Sequence, residues 1–113
     1  MSQRDTIDGK TAAEAILSRI IEQVANMPTD SAFHARSAVM IVNRMVVDKL
    51  YQPSSRAYHL RVSDVGVDCE RLAAKPYIDK YEKQVYDAVA KTALDYHDAV
   101  EYHEHMEAPA LPF

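Results

Sequence analysis

Ala13, Ile16, Leu17, Ile20, Ile21, Val24 and Met27 recur at intervals of three and four, while Glu14, Ser18, Arg19, Glu22 and Gln23 fall largely on the other side. That spacing predicts an amphipathic helix over 11–27. Thr11 and Glu14 match a capping box at its start. Pro28 ends it, because the residue before a proline is pushed away from helical geometry. Thr29, Asp30 and Ser31 then offer three caps for a second helix that Pro53 closes near Gln52. Here Phe33, Val39, Met40, Ile41, Val42, Met45, Val46, Val47, Leu50 and Tyr51 cover most of the circumference, leaving a polar strip of His34, Ser37, Arg44, Asp48 and Gln52. A helix this apolar needs cover on more than one side, which predicts a central helix or a subunit interface, the interface running through Val39, Val42, Val46 and Leu50 and part of the long helix nearer the C-terminus. Asn43 and Arg36, across from the polar strip, are placed to set register between subunits.

The pattern changes in 53–75. Tyr58, Leu60 and Val62 alternate with His59 and Arg61 as in a half-buried strand, and Ser63 to Gly66 can turn the chain into a second short strand over 67–71. A small hairpin and a one-turn helix starting near Ser63 or Asp68 are both open. Pro76 suits a first helical turn, and no further glycine or proline interrupts 77–106. Ile78, Tyr81, Val85, Val89, Thr92, Tyr96, Ala99, Val100 and His103 form one stripe along it. A helix over 76–106 would be about 45 Å long, more than a small globule covers, so it bends or packs on another subunit. The expectation is one mainly α domain over 1–113. It has three helices with a long one at the C-terminal end, an irregular or hairpin segment between the second and third, a mobile leader over 1–10 and an apolar tail over 107–113.

Composition narrows the class. The 113 residues are 48% hydrophobic and 27% charged with only two glycines, which favours a folded helical chain over disorder or an all-β fold. The lone Cys69 can form no intrachain disulfide and has no C-x-x-C neighbour. With a polar N-terminus and no run of about 18 apolar residues, this predicts a cytoplasmic protein that does not span a membrane.

Charge is uneven. Residues 1–33, 34–61 and 62–113 carry −2, +4 and −6. Such asymmetry suits pairing between a basic middle and an acidic end, within or between chains, and predicts a homodimer or higher oligomer. The acidic end repeats every third residue at Asp95, Asp98, Glu101, Glu104 and Glu107. On a helix that period winds around the axis, giving an acidic surface for a basic partner, with Asp95, Asp98, Glu101, Tyr102 and Glu104 as its contact residues. Overall acidity disfavours duplex nucleic acid as that partner.

Three further chemistries are readable. Arg44, Arg56 and Arg61 with Tyr58 could grip a phosphate-bearing small molecule in an intersubunit pocket. His97, Glu101 and His105, at i, i+4 and i+8, present metal-ligand types on one face. They span about 12 Å, too far for one ion, so only one adjacent pair could chelate and a second element, carrying His34 or His59, must complete the site. Nucleophile elbows, phosphate loops and dinucleotide fingerprints are missing. The expected function is therefore non-catalytic and without cofactor: a small oligomeric helical protein that binds and modulates another macromolecule as adaptor or inhibitor.

Overall fold

The computed structural model describes residues 10–107, with the side chains of Lys10, Thr11, Ser31 and 103–107 outside that description. Five helices occur among the described residues: α1 Lys10–Ala25, α2 Thr29–His34, α3 Arg36–Leu50, α4 Tyr58–Ala73 and α5 Lys80–Glu107. The expected leader and apolar tail lie outside the described residues, apart from Lys10 at the start of α1 and Glu107 at the end of α5.

The first helix starts at Lys10, one residue before the threonine expected to cap it. The second predicted helix is divided at Ala35, which is fully buried and keeps near-helical geometry (φ −79°, ψ −8°), so α2 and α3 form a kinked pair. Residues 53–75 hold no hairpin. From Tyr58 onward they are helical, because Val62, Val65, Gly66, Cys69 and Ala73 repeat at three and four and all five are buried. The five-residue alternation from Tyr58 to Val62 is local, and the longer period of burial overrides it.

The long helix begins later than Pro76. Tyr77 adopts left-handed geometry (φ 64°), so the chain turns there first. Asp79 then caps α5, its Oδ2 accepting the backbone N–H groups of Tyr81 (2.9 Å) and Glu82 (3.1 Å).

Helix α5 is the spine. Its 28 residues give about 42 Å of helix, and α4, α1 and α3 pack along it in an elongated bundle with principal extents of 58 × 25 × 23 Å. Gly66 meets Leu94 while His59 meets Glu101, so α4 and α5 run antiparallel. The core is built from small side chains: Ile16 from α1, Val42 and Val46 from α3, Val62, Val65 and Cys69 from α4, and Val85, Val89, Ala93 and Val100 from α5. Valine and alanine at these positions let helix axes approach closely.

This core corrects one expectation. Val42, Val46 and Leu50 are buried by the chain's own helices and Val39 is partly buried, so they are not a face left for a second subunit. No helix among the described residues is long and apolar enough to cross a membrane.

Candidate functional site

The acidic face of α5 is less uniform than its three-residue period implies. Asp95 pairs with Lys91 at 3.0 Å, one helical turn away. Asp98 and Tyr102 are exposed. Glu101 does not join them: it is only 36% exposed at its side chain and faces two histidines. The side chains of Glu104 and His105 lie outside the described residues.

Those histidines come from two helices. His97 stands one turn before Glu101 on α5, with Nε2 3.3 Å from Glu101 Oε1. His59, in the first turn of α4, brings its Nε2 to 3.4 Å from the same oxygen. One nitrogen from each ring and the carboxylate oxygen lie within 4.8 Å of one another. The rings stack with centroids 5.7 Å apart and planes inclined at 30°. Asp98 Oδ1 lies 3.2 Å from His97 Nδ1 on the far side of the ring. His59 and His97 are largely buried, with side-chain exposures of 14% and 22%. Of the two candidates for a completing element, the antiparallel pairing of α4 and α5 supplies His59, while His34 is on α2.

The basic residues are mostly engaged inside the chain. Arg56 makes a two-pronged contact with Asp64, Nε to Oδ2 at 3.0 Å and Nη2 to Oδ1 at 3.2 Å. Arg61 Nη1 donates to the backbone oxygens of Lys49 (3.1 Å) and Gln52 (2.9 Å), carbonyls at the C-terminal end of α3. Its guanidinium carbon sits 5.1 Å from the centre of the Tyr58 ring. Arg44 projects from the outer face of α3 beside Asp48, 3.7 Å away and largely exposed. Thus Arg56, Arg61 and Tyr58 gather at the start of α4, and Arg44 does not join them.

Sequence reasoning missed two apolar surfaces. Met40 is 61% exposed, Val47 48% and Tyr51 49%, all on the outside of α3. Nearby, a groove of about 580 Å³ runs between the C-terminal half of α1 and the α2–α3 kink, with Ile21, Val24, Phe33 and Val39 in its lining and Arg36 as its charged edge. The signal was present in the unusually broad apolar arc of the second predicted helix, but the arc did not say which part the chain itself would cover.

Cys69 is fully buried, and burial, with the Asp68 charge adding to it, pushes its thiol up to about 12. A thiol held protonated is a packing group, not a nucleophile. Comparison with family models, curated proteins and solved structures finds no match to this chain.

Proposed function

We propose that the chain is a non-catalytic binding protein of adaptor or inhibitor type. It works as a homodimer through the outer face of α3 and meets a basic macromolecule with the exposed acids of α5. The observation that carries this reading is the exposure of Met40, Val47 and Tyr51 on one side of α3. At 100° per residue these three, with Arg36 and Asn43, fall within an arc of about 80°, the width of a helix-packing seam. Apolar area gathered on one side of a helix is more typical of an interaction site than of free surface.

The occupant we assign is a second copy of the same helix, laid antiparallel. A two-fold axis crossing α3 between Arg44 and Asp48 keeps each flank of the helix opposite itself. Arg44 and Asp48 share a flank, so each Arg44 then faces Asp48 of the partner subunit, twice by symmetry. In the same register Met40 faces Tyr51 of the partner subunit and Val47 lies near the axis. Within one chain the Arg44–Asp48 contact is long and solvent-exposed, so exchanging it for the intersubunit pair costs little.

Asp95, Asp98 and Tyr102 lie on the exposed part of α5, where a basic partner would compete with Lys91 for Asp95 and with His97 for Asp98. Glu101 is turned toward His59 and His97, so its part in that contact is small.

Sedimentation equilibrium tests the dimer. The wild type is expected at twice 12.8 kDa. R44D and D48R should each shift the population toward monomer, and the double variant R44D/D48R should restore the dimer. A monomeric wild type, or indifference to both single reversals, overturns the α3 interface. The partner surface is tested by D95N/D98N, which should keep the dimer and lose salt-sensitive capture of a basic partner.

A further inference from the structure

We infer that His59, His97 and Glu101 form a binding site for a first-row divalent metal ion of the zinc class. The ligand types are right: two imidazoles and a carboxylate are a donor set that borderline ions accept.

Two of the three ligand spacings are also right, and the third lies within 4.8 Å. For bonds of about 2.0–2.1 Å, two ligand atoms of a tetrahedral ion stand about 3.3–3.4 Å apart. Glu101 Oε1 lies 3.3 Å from His97 Nε2 and 3.4 Å from His59 Nε2. Both separations are longer than a good N–H···O bond and match edges of a coordination tetrahedron.

The neighbour of His97 supports the same conclusion. Asp98 Oδ1 lies 3.2 Å from His97 Nδ1. With the proton on Nδ1 that carboxylate accepts it, and Nε2, 3.3 Å from Glu101 Oε1, is left to face an ion. Aspartate behind a histidine is also how metal-binding imidazoles are commonly oriented and made more basic.

The position argues for a built site over two incidental surface residues. His97 and Glu101 share a helix face at i, i+4. His59 is thirty-eight positions earlier in the chain and reaches them only through the α4–α5 packing. Both helices are fixed there by the buried contacts of Val62 and Val100. Three protein ligands leave a fourth position to water or to a group from a partner. A bound ion would tie the first turn of α4 to the distal part of α5.

The test titrates zinc, and cobalt(II) as its coloured substitute, into the full chain freed of metal. The expected result is one ion per chain, with the intense visible bands of tetrahedral cobalt(II) and a rise in melting temperature on adding zinc. H59A, H97A and E101Q should each abolish the bands and the thermal shift. D98A should weaken binding by about tenfold or more, and H34A should leave it unchanged. Circular dichroism without metal shows whether each variant is folded. H59Q keeps a polar side chain in place should H59A unfold. Two outcomes overturn the site: folded wild type that gives no bands and no shift, which leaves the cluster a set of histidine–carboxylate contacts, or binding that survives H59A and is lost in H105A, which places the ion on the α5 surface.

Discussion

Gly66 of α4 lies so close to Leu94 of α5 that a Cβ on the glycine would stand 2.9 Å from Leu94 Cγ and 3.2 Å from Ala93 Cβ. The two helices touch at this point with no room for a side chain. Alanine would gain up to about 1 kcal/mol in helix propensity. The overlap costs about 1–3 kcal/mol, because Ala93 Cβ cannot rotate away and Leu94 Cγ is the branch point of its side chain. Gly66→Ala should therefore lower stability on denaturant titration, and Leu94→Ala placed in the same chain should recover part of the loss. A G66A protein more stable than wild type would show that α4 and α5 are further apart than this.

Arg61 acts as a strut. Its two hydrogen bonds to carbonyl oxygens at the end of α3 satisfy groups that the helix itself leaves open, and its positive charge suits that end of the helix dipole. Arg61→Ala should destabilise the fold by about 1–3 kcal/mol. Arg61→Lys should recover only part, because a single ammonium cannot span both carbonyls in the same geometry. Retention of full stability in the alanine variant, with loss of a phosphate-bearing ligand instead, would restore the intersubunit pocket as the function of this residue.

Cys69 gives the alkaline limb of the stability curve a definite sign. The thiol ionises near 9.0 when free and at about 12 in the folded chain, because burial and then the Asp68 charge disfavour the thiolate. Above about pH 9 the unfolded chain therefore holds fewer protons than the native one, and stability falls as pH rises toward 12. Tyr86 moves in the same direction, through burial first and then the charges of Glu82 and Cys69. Urea midpoints should drop across this range, with a shallower fall in Cys69→Ala. The native thiol should also react slowly with a thiol reagent at pH 8, and rapidly once the chain is unfolded.

The start of the long helix depends on Asp79. Its carboxylate satisfies two backbone N–H groups that no helical carbonyl can reach. Asp79→Ala should cost about 0.5–2 kcal/mol, and Asp79→Asn or Asp79→Ser much less. Hydrogen exchange should show the loss first at Tyr81 and Glu82.

The order of residues alone makes the chain helical, because the three-and-four spacing of Ile16, Ile20, Val85 and Val89 expresses a local period that needs no knowledge of neighbours. It also marked Pro28 and Pro53 as breaks, since proline acts on the residue beside it. It misread 58–62, where five residues are too few to separate a period of 2 from one of 3.6. It also left Val42, Val46 and Leu50 open to a central place in the chain or to a partner. A nearly all-apolar helix records that several sides are covered without recording by what, and α1, α4 and α5 take those positions first. The candidate site divides along the same line. His97 and Glu101 were legible as a pair because i, i+4 neighbours on a helix always meet, but His59 belonged with them only after the antiparallel packing of α4 on α5 set two distant turns side by side. Contacts along one helix follow from its period, whereas contacts between helices follow from which faces bury each other, and that is decided only when the whole chain folds.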